Sequence, residues 1–148
     1  MMTSLREQII QEVLRRLRAA SLGNPVLRNP SLALTIKTTP AIVFAVESER
    51  ITDRANVRVT RELTIRLVAV ARGQDTSEAV EIADSLIVLA HEAMMSDQSL
   101  LTESGQSLSF RIEEQDTDWE YEDADDSVVA IPARYSITYR TTKADLTK

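Results

Sequence analysis

The stretch that most constrains the fold is the run of residues 56–73, NVRVTRELTIRLVAVARG. Apolar and polar residues alternate along it, which predicts a long β-strand with one buried face, because successive strand side chains point to opposite faces. Arg61 is the exception on the apolar side, and we expect a bulge or a sheet edge there. Val68 and Val70 interrupt the polar side, which predicts apolar cover on both faces at that end. The residues of the buried parity are Val57, Val59, Leu63, Ile65, Leu67, Ala69 and Ala71.

A helix is predicted on each side of this strand. Residues 5–20 carry an apolar stripe at helical spacing, and Ser4 with the glutamate three residues later matches a capping box. Residues 77–95 carry a second stripe, and Asp75 or Thr76 is placed to cap its start. Alanines along the second stripe allow a close approach to a sheet.

Three further strands are predicted. Residues 41–48 are apolar on both faces, and the polar residues 50–55 should turn the chain back into an antiparallel pair with the long strand. Residues 108–112 alternate, and the alternation resumes further on. Residues 129–139 give the clearest alternation after the first strand. Pro132 lacks a ladder donor, so that last strand should lie at an edge or be bulged.

The remaining segments show weaker patterns. Leu32, Leu34 and Ile36 alternate with small or polar residues in an irregular segment, which indicates a short strand or an extended arm. The C-terminal residues 143–148 should fray. With 148 residues, of which 43% are apolar and 4% aromatic, the chain fits one domain with an aliphatic core. We predict an α+β fold, with two helices packed against a mainly antiparallel or mixed sheet of about four to five strands.

Composition excludes several classes of function. The net charge of −6 argues against a protein whose whole surface grips nucleic acid. The absence of cysteine excludes disulfides, thiolate metal sites and cysteine nucleophiles. No apolar run approaches the roughly 18 residues that span a bilayer, and the polar N-terminus is unlike a signal peptide. Neither a phosphate-binding glycine loop nor a GxSxG or HExxH motif occurs, so we predict no enzyme activity.

Two smaller features have competing interpretations. Arg15, Arg16 and Arg18 cluster near the end of the first helix. They are typical of a solvated face that complements the helix dipole, and a phosphate contact is the alternative. His91 is the only histidine, and a lone histidine without an obvious partner is typical of a structural role.

An acidic run is the most distinctive polar feature. Residues 113–126 hold nine acids among fourteen residues. Paired carboxylates for acid–base catalysis are one interpretation, and a Mg²⁺ or Ca²⁺ site is a second, although the spacing is not that of an EF-hand. The third is an acidic surface or hairpin tip that faces solvent, a partner or a channel. The candidate contact residues are Asp116, Asp118, Glu120, Glu122, Asp123, Asp125 and Asp126.

The order of these patterns resembles the phage tail-terminator family, the minor tail protein U-like proteins of phages and prophages. The matching pieces are TSLREQIIQEVLRRL, TPAIVFAVESE, LTIRLVAVARG, EIADSLIVLAHEAMMSDQSL and ARYSITYRTTKADL. Together they span nearly the whole length of the chain. The resemblance implies a single α+β domain over residues 1–148 that assembles as a hexameric ring.

The resemblance also implies a function. Such a ring caps the finished tail tube, stops its growth and presents a surface to head-completion proteins, while DNA passes through the lumen without specific binding. It implies no catalytic residues and no cofactor, and it places the protein in the virion tail or neck, and in the bacterial cytoplasm during assembly. We expect the acidic run to face the lumen or a neighbouring subunit, with a non-specific effect of Mg²⁺ on assembly. The alternatives are a neighbouring head–tail joining or tube subunit, and a small metal- or ligand-binding domain.

Overall fold

A computed structural model describes residues 2–28, 39–119 and 128–148 of the protein. The strands form one sheet in the order β1-β2-β3-β5-β4, in which β1 is parallel to β2 and the other neighbours are antiparallel. This confirms the predicted α+β fold with two helices and a mixed sheet. The elements are α1 (Leu5–Ala20), β1 (Val26–Arg28), β2 (Ala41–Ala55), β3 (Arg58–Arg72), α2 (Thr76–Met95), β4 (Arg111–Gln115) and β5 (Val128–Thr142).

Helix α1 has the predicted bounds, and its start is only half of a capping box. The Ser4 hydroxyl oxygen accepts a hydrogen bond from the Glu7 backbone N–H at 3.2 Å. The Glu7 carboxylate does not return to the cap, since it binds the Arg28 guanidinium on β1 at 2.5 and 2.7 Å. The Arg28 hydrogen bonds hold the pKa of Glu7 below its usual value. The acidic residue of the motif therefore joins the helix to the sheet.

Helix α2 begins one residue before the predicted start. The Asp75 carboxylate caps it by accepting from the Glu78 N–H at 2.9 Å. Gly73 joins β3 to this cap, and a Cβ at that position would lie 2.7 Å from the Ala79 backbone nitrogen. The close return of the chain therefore requires a glycine there. Neither described helix combines the length and apolar character needed to cross a membrane.

The β2–β3 hairpin is much longer than predicted. Strand β2 continues to Ala55, so the polar residues 50–55 form a strand and not a turn. The turn occupies Asn56 and Val57, where Asn56 has a φ of 55°. Val57 is 66% exposed, which corrects its assignment to the buried face. The antiparallel pairing of the two strands is confirmed.

Two irregularities in this hairpin decide which side chains face the helices. The first register shift leaves Glu47 unpaired between the Val46 and Ser48 positions, and it exchanges the two faces of β2 beyond that point. Glu49 consequently lies opposite Leu63 on the helix side of the sheet. The second shift occurs opposite Arg61, between residues 51 and 53. The bulge predicted from Arg61 is thus present, on the partner strand.

One hydrophobic core fills the space between the helices and the sheet. Only one parity of β3 and β5 contributes to it, so both helices pack on the same face. Val70 on the other face is also buried, in agreement with the expected cover at that end. Six residues from the apolar sides of the predicted strands and second helix are all 3% exposed or less, namely Leu63, Ile65, Leu67, Leu86, Ile137 and Tyr139.

The strand predicted over residues 108–112 is wrong in its first half. Strand β4 begins at Arg111, while Leu108 is buried in the preceding loop and Phe110 is exposed. Residues 116–119 lie outside any strand, so the resumed alternation does not extend β4 within the described residues. Strand β5 lies between β3 and β4, so it is not an edge strand over its whole length. Strand β4 pairs with residues 134–138 only, so no strand in the described residues pairs with that side of β5 at Pro132, where the proline predicted an edge.

The chain ends are held in place more firmly than expected. The Leu5 N–H at the start of α1 donates to the Leu146 carbonyl at 2.8 Å. The Lys143 N–H donates to the Val57 carbonyl at 2.6 Å. The prediction that residues 143–148 fray is therefore wrong. The alternation at Leu32, Leu34 and Ile36 lies outside the described residues.

Candidate functional site

The candidate functional surface is the open face, which we define as the face of the sheet opposite the two helices. Cross-strand neighbours divide it into four zones. A charged zone lies nearest the β2–β3 turn, a zone of small hydroxyl side chains follows, a row with Arg66 and Arg134 comes next, and an apolar zone lies at the far end. Representative rows across the strands are Arg50–Glu62–Thr138–Arg111, then Ser48–Thr64–Ser136, then Val43–Val68–Pro132.

Ion pairs neutralise part of the charge on the open face. Arg50 Nε lies 3.3 Å from Glu62 Oε1, and Arg134 Nε lies 2.8 Å from Glu47 Oε2. The members of these pairs are partly exposed, so each pair contributes little net stability, typically about 0–1 kcal/mol. Their arrangement sets the electrostatic pattern of the face more than it sets the stability of the fold.

Two arginines at the charged end have no carboxylate partner among the described residues. The Arg140 guanidinium lies 4.7 Å above the centre of the Phe110 ring, and its Nε donates to Thr60 Oγ1 at 3.2 Å. Arg58 lines the same groove, together with the loop residues 106–109 before Phe110. Phe110 is 59% exposed, although its spacing had placed it on a buried face. We call the site formed by Arg58, Phe110 and Arg140 the Arg140 groove.

The structure describes only the start of the acidic run. Asp116 and Asp118 are exposed and directly follow β4 at the edge of the sheet. The Asp116 carbonyl accepts from Arg134 Nη1 at 3.0 Å. No group of three or more histidine or acidic side chains positioned for a metal occurs in residues 2–28, 39–119 and 128–148. The candidates that lie outside the described residues are Glu120, Glu122, Asp123, Asp125 and Asp126.

His91 has a partner that the sequence did not reveal. Its Nδ1 lies 2.7 Å from the hydroxyl oxygen of Tyr135, so a hydrogen bond joins α2 to β5. Burial raises the pKa of Tyr135 to about 12, and the charge of Glu114 adds to the increase. The phenol is therefore protonated at neutral pH. This pair holds the helix on the sheet.

A second polar network explains the arginine on the apolar side of β3. The Tyr139 hydroxyl donates to Glu49, which also accepts from Arg6 Nη1 at 3.1 Å and lies 3.8 Å from Arg61 Nη1. Arg61 Nε donates to Thr141 Oγ1 at 3.1 Å. Burial is the main cause, and the hydrogen bond to Glu49 the next, of the raised pKa of Tyr139. The network connects α1 with β2, β3 and β5.

The arginine cluster of α1 makes contacts within the chain. Arg16 Nη2 binds Asp97 Oδ2 at 3.0 Å, and Arg16 Nε binds Glu12 at 3.0 Å. Arg15 binds Glu12 at 2.7 Å, and Arg18 donates to a backbone carbonyl near β1. These contacts hold the loop after α2 and the start of β1 against α1. They account for the cluster without a phosphate ligand.

Comparisons with known proteins add no relative to this description. No protein-family model matches the sequence, and no curated protein matches it. The functional inference therefore rests on the sequence pattern, the fold and the chemistry of the open face.

Proposed function

We propose that this protein is a structural subunit of a phage or prophage tail, which forms a closed ring of about six copies. In this role the ring caps the finished tail tube, ends tube growth and presents a surface to head-completion proteins. The family resemblance, which covers nearly the whole chain, is the basis of the proposal. The arrangement of two helices on one face of a mixed sheet is compatible with it.

The observation that carries the proposal is the one-sided packing of the sheet. Both helices cover the same face, and β1 and β4 are the edge strands of the sheet. An edge strand with unpaired backbone groups needs a partner or a blocking device. Head-to-tail contacts around a rotation axis cover such edges in every subunit and close without producing an open fibre. A ring subunit therefore has a physical use for both the open face and the edges.

The polar elements fit the same role. The outer part of the β2–β3 hairpin is exposed over residues 50–58, which suits it to contact a neighbouring subunit or the tail tube. Acidic side chains that face a lumen repel DNA phosphates, so the genome can slide past without being bound. No step of this function requires a cofactor or a catalytic residue.

Light scattering and negative-stain microscopy test the proposal. We expect closed rings of about six subunits in concentrated protein, and rings bound at one end of purified tail tubes. Growth of the tubes should stop when the protein is added. A strict monomer at high concentration, both alone and with tubes, would contradict the proposal. Open-ended polymerisation would instead favour a tube subunit, and binding to heads but not to tubes would favour a neck subunit.

A further inference from the structure

One subunit carries a groove with two arginines and, in another part of its sequence, a run of acidic residues of complementary charge. We propose that the Arg140 groove binds the acidic segment, residues 116–126, of a second copy of this chain. This inference deepens the proposed ring function and rests on it for the number of copies. The contact itself is a separate claim, and it can be tested on the protein alone.

The groove has the chemistry of a carboxylate receptor. The Phe110 ring and the Thr60 hydroxyl hold the Arg140 guanidinium in one orientation. A planar guanidinium binds carboxylates through two parallel hydrogen bonds, and one already stacked on an aromatic ring loses less side-chain freedom on binding. Arg58 adds a second positive charge, and neither arginine has a carboxylate partner in the described part of the chain. The neighbouring Arg50 and Arg111 are already paired with Glu62 and Glu113.

The acidic segment has the complementary chemistry. Acids alternate with aromatic residues over residues 118–122, DWEYE, and further acids follow. Carboxylates can pair with the two arginines, while Trp119 or Tyr121 can stack on a guanidinium or on Phe110. Nucleic acid could offer phosphates to the same groove. However, a chain with a net charge of −6 repels a polyanion over its surface as a whole. A short acidic segment of the same chain avoids most of that repulsion.

The positions of the two surfaces favour a contact between copies. The acidic segment begins at Asp116, whose carbonyl accepts from Arg134 Nη1, and Arg140 lies six residues further along β5. At about 3.3 Å per residue, the start of the segment is roughly 20 Å from the groove. Two different surfaces that complement each other form a head-to-tail contact between copies, because each copy offers one surface to each neighbour. Such contacts build a ring when the rotation between copies closes.

Two variants test the contact, one for each surface. The receptor variant is Arg58→Gln with Arg140→Gln, and the ligand variant is Asp118→Asn with Asp123→Asn and Asp125→Asn. Each variant alone should have an apparent dissociation constant at least about tenfold above that of the parent, by light scattering. An equimolar mixture should form a 1:1 heterodimer and nothing larger, since each pair retains one intact receptor and one intact ligand.

A charge-matched control guards against a general electrostatic effect. Arg15→Gln with Arg18→Gln removes the same charge from two exposed arginines of α1, which lie outside both the groove and the open face. This control should assemble like the parent. The heterodimer also shows that both variants fold. Normal assembly of the receptor and ligand variants, or a mixture that remains monomeric, would overturn the proposal.

Fluorescence gives a second measurement on the same contact. Trp119 is the only tryptophan of the chain, so its emission reports on the acidic segment. The emission of the parent should change with protein concentration, and that of the receptor variant should not. A concentration-independent difference between them would place the segment in the groove of its own subunit and overturn the proposal. The proposal would also be overturned if the parent binds a labelled oligonucleotide and the receptor variant loses that binding but still assembles.

The outcomes separate this contact from the ring function. Rings that form equally well from both variants would leave the ring proposal intact and overturn the contact. If the parent forms dimers or open chains and both variants fail to form them, the result supports the contact and contradicts the ring. A parent that stays monomeric at all concentrations would overturn both.

Discussion

The two faces of the sheet use the same strands for different purposes. Toward the helices, β3 and β5 present aliphatic and tyrosine side chains that are almost completely buried. Toward the open face, the same strands present charged and hydroxyl side chains, several of them in partly exposed ion pairs. Burial of apolar area stabilises a fold strongly, whereas exposed ion pairs contribute little. The comparison indicates that one face maintains the fold and the other is available for association.

The bulge in β2 gives the closest comparison between the faces. Glu47 and Glu49 are two residues apart, so a regular strand would direct both to the same side. The register shift at Glu47 sends Glu49 into the network with Tyr139 and Arg61, while Glu47 reaches Arg134 on the open face. Identical side chains on one strand therefore occupy opposite environments.

The largest expected effect separates the faces at adjacent residues of β3. Ile65 is completely buried, so Ile65→Ala should lower the free energy of unfolding by about 2–5 kcal/mol. Arg66 lies on the open face, and Arg66→Thr should change the free energy of unfolding by about 0.5 kcal/mol or less. Urea denaturation of both variants measures the difference. Equal losses would show that the open face also carries the stability of the subunit.

An intermediate effect is expected at the bulge. Glu49→Gln removes a charge that Arg6 and Arg61 approach where the Glu49 side chain is only 17% exposed, so it should cost about 1–3 kcal/mol. Glu47→Gln removes the charge from an ion pair that is more exposed, and should cost less than about 1 kcal/mol. Thermal and urea unfolding at neutral pH measure both. A larger loss at Glu47 would reverse the assignment of these two glutamates.

The smallest expected effect distinguishes the helix-covered face from the open face by the pH dependence of stability. Tyr135→Phe removes the bond to His91, and Ser136→Ala removes a bond in which Gln115 Nε2 donates to Ser136 Oγ at 3.1 Å. Each should cost about 0.5–1.5 kcal/mol at pH 7. Only Tyr135→Phe should also change how the free energy of unfolding depends on alkaline pH, because the pKa of Tyr135 is raised to about 12.

The sign of that pH dependence follows from the two protonation states. An unfolded tyrosine ionises near pH 10, whereas folded Tyr135 stays protonated until about pH 12. Stability associated with this group is complete below about pH 10 and is lost as the pH rises toward 12. Urea denaturation between pH 9 and 12 should give a shallower loss for Tyr135→Phe than for the parent. Tyr139 has a pKa raised in the same direction, so part of the loss should remain. Identical slopes would show that Tyr135 does not govern this range.

Local periodicity in the sequence determined most of the regular structure. Alternation defined β3 and β5, and helical spacing defined α1 to its last residue and α2 to within one residue. The same patterns identified the buried face of β3 and β5 correctly, whereas Val57 and Phe110, outside those strands, were assigned to the buried side and are exposed. These predictions succeed because each depends on residues that are close in sequence and on the side of an element that must leave water.

The tertiary structure alone decided the features on which the candidate surface depends. Residues 50–55 are polar and have no strand pattern of their own, but they pair with β3 and extend the hairpin. Distant residues likewise determine three other features, namely the exposed ring of Phe110, the register shift at Glu47 and the partners of Arg61. The parallel pairing of β1 with β2 and the anchored C-terminal residues have the same origin. Pairing between strands far apart in sequence leaves no local signal, because its energy comes from partners that only the folded chain brings together.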